Sequence, residues 1–421
     1  MDDRIRARYF IESAHPLDAA AQVMAGEQST GTFVSVPGET ADMKRRNGAV
    51  VESIVELGEV GAPSLPGARP PKGGSAGWRQ AEVVLSWPLR NCGTSLPNLM
   101  TLVAGNLFEL SQFSGLRLLD LELPTAFADA YPGPQFGVAG TRRMSGVYDR
   151  PLVGTIIKPS IGLSAEQTAQ HVRDLCEGGI DFIKDDELQS DGVDCPFAQR
   201  VDAVMEVIRR HADRTGRKVM YAFNLTGDLD EMRRRHDHVL ARGGTCVMAS
   251  VQSCGLVGIT ELRRHSQLPI HGHRNGWGAL SRAPQLGFSA PAWQKLWRLA
   301  GIDHIHVNGI RNKFCEPDAS VLASARSCLT PMFDHPGKEF TIMPVFSSGQ
   351  WAGQAPDTYQ AIGGVDLIYA CGGGIAAHPD GIAAGVQSIR DAWMAAREGV
   401  PLSHYAARSE PLRRALETFG S

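Results

Sequence analysis

Residues 152–160 read LVGTIIKPS, an apolar run rich in β-branched residues that ends in Lys158-Pro159-Ser160 rather than in a glycine-rich turn. A strand, a loop and a segment of helical period admit two architectures, an open doubly wound sheet or a closed barrel, and the open sheet wants a GxGxxG turn after its first strand. The turn is missing, so the barrel is the better reading. Seven similar runs follow, at 180–183, 219–223, 245–251, 269–272, 303–307, 340–346 and 366–371. Helical stretches at 165–175, 197–211, 229–240, 290–300 and 381–395 alternate with them. Eight β-α repeats in about 250 residues predict a (β/α)8 TIM barrel.

Upstream the pattern changes. Residues 18–24 read as a helix, 81–87 and 116–123 as strands, and 61–74, rich in Pro and Gly, as a loop. The chain therefore divides into a smaller, ferredoxin-like α+β domain at 1–145 and a catalytic α/β barrel at 146–421. With 421 residues, 43% hydrophobic and 21% charged, the composition is that of a globular protein. Forty-two basic against 45 acidic residues give a charge of −3 with no dense basic run, which argues against nucleic acid as a partner. No apolar stretch reaches the length of a membrane span, and MDDRIRARYFIESAHPLD lacks the apolar core of a secretion signal. The eight cysteines are scattered singly and read as reduced thiols, so a cytoplasmic location is expected. The expected partners are small molecules and further copies of the chain.

Barrels place reactive groups where each strand meets its following loop. The second strand ends in Ile183-Lys184-Asp185-Asp186-Glu187, and charges in that position face a site where burial is costly unless they are paired. A hard cation resolves the cost, because carboxylate oxygens suit Mg²⁺ and leave positions open for a substrate. Asp185, between two candidate ligands, is read as a packing or surface carboxylate that points away. His271 and His304 are read as structural, on strand faces opposite His273 and His306. Asn224 and Thr226 end the third strand as supporting groups. Lys313 stands evenly between a lid lysine and a solvated loop lysine.

Several segments in order carry a family resemblance: GTIIKPSIGLS (154–164), GGIDFIKDDE (178–187), HGHRN (271–275), DHIH (303–306), PVFSSG (344–349) and CGGG (371–374) in the barrel, with EQSTGTF (27–33) and AGNLF (104–108) before it. Together they resemble the RuBisCO large subunit. The resemblance implies Mg²⁺ held by Asp186, Glu187 and a CO₂-derived carbamate on Lys184, with Lys158, His273, His306 and Lys313 handling protons. It further implies substrate or phosphate contacts from Arg274, Ser347, Gly349, Gly372 and Gly373, and a homodimer or higher oligomer whose sites Glu27, Thr32 and Asn106 complete from the partner subunit.

Departures from the carboxylases narrow the expectation. Ser160 stands where they have a second lysine, Phe314-Cys315-Glu316-Pro317 replaces a glycine-bearing lid tip, and Ser348 replaces a glycine. The RuBisCO-like branch is therefore expected, without productive CO₂ fixation. The favoured reaction is decarboxylation or C–C cleavage of a β-keto sugar-acid phosphate such as 3-oxo-isoapionate 4-phosphate, in carbohydrate catabolism. The alternatives are an enolase or isomerase of a methylthio-ribulose-phosphate compound in methionine salvage, and a non-catalytic sugar-phosphate-binding protein.

Overall fold

A computed structural model describes residues 3–31, 36–74 and 77–420. The chain forms two compact units. One comprises Met1–Tyr131, Gly276–Leu299 and Phe333–Lys338, the other Pro132–Asn275, Ala300–Met332 and Glu339–Ser421.

In the first unit, β1 (Arg4–Ser13), a helix at Leu17–Glu27, β2 (Val50–Val60), β3 (Trp78–Pro88), a helix at Leu96–Val103 and β4 (Phe113–Glu122) follow one another. The strands lie side by side as β4-β1-β3-β2 and pair antiparallel, the split βαββαβ arrangement of ferredoxin-like sheets. Alternation sets the buried face, with Ile5, Ala7, Tyr9 and Ile11 of β1 packed inside. Two of these strands, β1 and β2, lie outside the segments picked from the sequence. A later strand, β10 (Leu286–Phe288), adds to the edge of this sheet parallel to β4. The helix expected at 290–300 forms as Ala290–Ala300, and Lys295 on it pairs with Asp120 of β4 at 2.6 Å, so most of this segment belongs to the N-terminal sheet unit rather than to the barrel.

The second unit is built on β5 (Leu152–Ile156), β6 (Phe182–Lys184), β7 (Met220–Asn224), β8 (Cys246–Ser250), β9 (Ile270–His273), β11 (His304–His306), β12 (Met343–Phe346) and β13 (Ile368–Ala370). All eight pair in parallel and close on themselves, β13 returning to β5. Leu152, Phe182, Met220, Ala222, Cys246, Met248, Met343, Val345, Ile368 and Ala370 fill the interior. The barrel is thus a packed core rather than a pore. The helix Ala165–Glu177 starts at a capping box, in which Ser164 accepts the Gln167 N–H and the Gln167 side chain accepts the Ser164 N–H.

Candidate active site

Because side chains two apart on a strand share a face, Phe182 in the barrel interior carries Lys184 inward with it. Lys184 is 1% exposed, and its ammonium donates to the Asp185 carbonyl at 2.6 Å and lies 3.9 Å from Glu187 Oε2. Burial pulls its pKa down to about 8 against the opposing pull of Glu187, Asp186 and Asp185. Lys158, at the end of β5, donates to Asp186 Oδ2 at 2.6 Å and to Ser160 Oγ at 2.7 Å. Burial pushes the Asp186 carboxyl up, but the Lys158 hydrogen bond, the Leu188 N–H and the two lysine charges outweigh it and hold the carboxyl below its ordinary range. His273 Nε2 lies 3.4 Å from Glu187 Oε2, and burial followed by the Lys184 charge takes its pKa down to about 3. Lys158, Lys184, Asp186, Glu187 and His273 thus form one cluster. Two carboxylates facing a deprotonatable amine are a donor set suited to a hard divalent cation.

Asp185 points the other way, as expected from alternation, but it is no surface group. It is fully buried, accepting from Tyr221 Oη at 2.6 Å, the Asn224 N–H at 2.8 Å and Arg200 at 3.2 Å. Asn224 in turn donates its amide to the Glu187 and Gln189 carbonyls, each at 3.2 Å, and accepts from Thr226 Oγ1 at 2.7 Å. These contacts fold the backbone that presents Asp186 and Glu187.

The structure corrects the placement of His271 and His304. Positions two apart cannot lie on opposite strand faces, so His271 shares the interior with His273, and His304 with His306. His271 Nε2 lies 2.8 Å from His306 Nε2, whose other nitrogen is 3.0 Å from Ser347 Oγ. Burial, reinforced by neighbouring imidazoles, takes the pKa of both His271 and His306 well below the usual value, so both rings are neutral.

From Ser347 the hydrogen bonds continue to Ser348, and Ser348 Oγ donates to Asn308 Oδ1 at 2.8 Å. Asn308 Nδ2 donates to Glu316 Oε2 at 2.7 Å, and the same oxygen accepts from the buried Arg274 guanidinium. Ser320 Oγ supplies Glu316 Oε1 at 2.8 Å. Asn308 and Ser348 both hold positive φ, 62° and 68°, a strained conformation for residues other than glycine and one that clusters at functional sites. Glu316 and Asn308 were not picked as site residues from the sequence; the only signal was the non-glycine lid tip.

Gly372 and Gly373 open the short helix Gly372–Ala376 directly after β13. Neither has a positive φ, and a Cβ at Gly373 would meet nothing within 4 Å, whereas one at Gly374 would strike Trp351 and Gln350. Packing therefore explains Gly374 but not the exposed Gly373. Gly349 holds φ 91°, and beside it the Lys313 N–H bonds the Ser348 carbonyl at 3.1 Å. The Lys313 ammonium sits over the Phe314 ring, 5.2 Å from its centre. Glu27, closing the helix Leu17–Glu27, and Asn106 are exposed residues of the N-terminal unit, while Thr32 lies outside the described residues.

Among the described residues one His/Asp group has atoms close enough to share an ion: His236, Asp237 and His265. It lies on the helices Leu229–Ala241 and Val251–His265, not at the strand ends. His236 Nε2 accepts the Gln267 N–H, which puts the ring proton on Nδ1 toward Asp237 and disfavours a metal there.

A closed parallel barrel with a lysine–carboxylate cluster at its C-terminal strand ends defines a (β/α)8 enzyme scaffold. This chain belongs to the ribulose bisphosphate carboxylase large-chain family: the catalytic-domain profile matches residues 137–419 and the N-terminal-domain profile residues 2–127. It is 58% identical over 99% of both chains to a protein from Xanthobacter autotrophicus named 3-oxo-isoapionate-4-phosphate transcarboxylase/hydrolase. A 3-oxo-isoapionate-4-phosphate decarboxylase from Rhizobium rhizogenes is 44% identical, covering 99% of this chain and 98% of its own. Among solved structures, a rubisco-like protein from Burkholderia fungorum superposes with a TM-score of 0.92 at 48% identity, over 99% of this chain and 100% of that one. An octameric Rubisco from Pyrococcus horikoshii gives 0.86 at 31% identity, over 100% and 96%.

Proposed function

We propose that this protein is a Mg²⁺-dependent RuBisCO-like enzyme that cleaves the carboxylate from a β-keto sugar-acid phosphate, 3-oxo-isoapionate 4-phosphate being the substrate, by decarboxylation or by hydrolytic transfer. The observation that carries the reading is the cluster of Lys158, Lys184, Asp186, Glu187 and His273, with an interior lysine whose pKa has fallen to about 8. A neutral amine is the form that attacks the carbon of CO₂ and then loses a proton, so the fallen pKa suits carbamylation of Lys184. Lys184 in that form, Asp186 and Glu187 would hold Mg²⁺, which supplies electrophilic stabilisation of oxygen charge next to the reacting bond.

The chain's own residues do the rest. Lys158 is poised to carry the proton to or from the carbon beside the ketone, with Asp186 and Ser160 fixing its ammonium between turnovers. Neutral His273 and His306 offer hydrogen bonds to substrate oxygens without adding charge. Gly372 and Gly373, free of packing demands, let backbone N–H groups approach the phosphate, with Gly349 on the adjoining turn, while Ser347, bonded to His306, offers its hydroxyl to substrate oxygens. Arg274 follows β9, which β11 and β12 separate from β13, and marks a second, polar part of the site. Lys313 acts from the lid, and Glu27 and Asn106 reach a neighbouring subunit's site in a homodimer.

The oligomeric relative supports assembly. Eight free cysteines and the absence, among the described residues, of a helix long and apolar enough to cross a membrane suit a cytoplasmic enzyme. Ser160 in place of a charged lysine weighs against productive CO₂ fixation. The test is incubation with 3-oxo-isoapionate 4-phosphate, Mg²⁺ and bicarbonate, with products identified by NMR. Absence of turnover, together with turnover of a methylthio-ribulose phosphate, would overturn the reading.

A further inference from the structure

Arg274 is a buried cation at the end of β9, and nothing about a (β/α)8 barrel requires a charge there. A buried guanidinium at the mouth of a pocket would ordinarily receive an anion, most effectively a phosphate or carboxylate in bidentate contact. Here the anion is already supplied by the protein. Glu316, 12% exposed, occupies the guanidinium, and each of its oxygens is further held by a donor, Asn308 on one and Ser320 on the other. Its own backbone carbonyl accepts from Asn312 at 3.1 Å, so the loop that carries it is tied down at the same point. The Glu316 carboxylate offsets the Arg274 charge. Next to the pair, His306, Ser347, Ser348 and Asn308 present only uncharged donors and acceptors.

We propose that Glu316 is a specificity-determining residue that cancels the Arg274 charge, so that the site accepts a monophosphate whose end facing Arg274 is uncharged and hydroxyl-bearing, and discriminates against bisphosphates. The proposal rests on the reading that the substrate occupies the barrel mouth. A second phosphate would have to displace a carboxylate held by three donors or lie against it, and either costs affinity. A hydroxymethyl or hydroxyl group would instead add to the existing hydrogen bonds without a charge conflict. Binding energy at this end then comes from hydroxyl recognition, and the phosphate contribution is confined to the opposite end of the substrate.

The experiment measures dissociation constants by calorimetry for ribulose 1,5-bisphosphate and ribulose 5-phosphate, in Mg²⁺ and bicarbonate, on the full-length protein and on Glu316→Gln and Glu316→Ala. In the unaltered protein the bisphosphate should bind no more than about threefold tighter than the monophosphate. In either variant that ratio should rise at least tenfold, because the Glu316 charge no longer repels the second phosphate. A ratio of ten or more in the unaltered protein overturns the proposal, whether or not the variants fold. So does an unchanged ratio in folded variants, or no binding of either compound to any form. Turnover of 3-oxo-isoapionate 4-phosphate is assayed on the same preparation. If it is absent while the ratios behave as expected, the substrate assignment fails and the role of Glu316 stands.

Discussion

Replacing Asp185 by asparagine removes one negative charge and leaves Arg200, itself fully buried, without its counter-ion. The new amide must also place an NH₂ or an oxygen against Tyr221 Oη, the Asn224 N–H and Arg200, all three of which donate in the native arrangement. Breaking a buried pair on one side costs about 3–5 kcal/mol. For a barrel unit of this size that lowers the unfolding midpoint by about 10 °C. Asp185 also sets the backbone between the two proposed ligands, so Mg²⁺ affinity should fall by about 10–100-fold, as for other groups that orient ligands. Thermal unfolding and Mg²⁺ titration measure the two effects on one sample. The double variant Asp185→Leu, Arg200→Met removes both charges. Its stability loss should be smaller than the sum of the single losses by about 2 kcal/mol or more, while metal affinity stays low. Additive losses, or Asp185→Asn unfolding within about 1 kcal/mol of the parent, would refute the reasoning.

Four further outcomes are expected. At fixed dissolved CO₂, the initial rate of ¹³C-carbamate formation on Lys184, followed by NMR, should rise about tenfold per pH unit below pH 8 and flatten above it, since only the neutral amine reacts; an inflection at the ordinary lysine value of about 10.4 would count against it. The same shift has a sign for stability: a lysine whose folded pKa is depressed costs folding energy in full below pH 8, and the cost fades as pH climbs toward 10.5, so the metal-free protein should gain stability from this group across that window. Lys184→Ala and Glu187→Gln should each abolish turnover while circular dichroism shows the barrel intact, and excess chelator should do the same to the parent; full activity in any of these removes the metal. Mixing Lys184→Ala with Asn106→Ala subunits should restore part of the activity through hybrid sites, and mixed dimers without rescue would exclude sites shared between subunits.

The sequence made the barrel legible because its strands are short runs of apolar residues walled in by loops, a pattern that survives without any tertiary knowledge. All eight appear within a few residues of where periodicity puts them. The edge strand β2 was harder, since both its faces are largely exposed and Glu52, Glu56 and Glu59 interrupt its apolar run. His271 and His304 were misplaced by faulty alternation rather than by missing information: the histidines two positions apart were visible, and strand geometry puts each pair on one face. Asp185 and Glu316 are a different matter. Their partners Arg200 and Arg274 lie 15 and 42 residues away in the chain, the first across a loop and the second across several helices and strands, and no local spacing reports such a pairing.

Strand β10 bears on how such a chain can be altered by recombination. It comes from a stretch between β9 and β11, yet it completes the sheet whose other strands all precede residue 123. A gene fragment stopped at residue 145 would encode that sheet with the β4 edge bare, exposing a row of unpaired backbone groups that invites self-association. A barrel fragment begun at residue 146 would carry an orphan strand with nothing to pair. Exchange of halves between relatives must therefore carry residues 276–299 with the N-terminal segment, and a simple two-piece chimaera should misassemble even when each parent is robust.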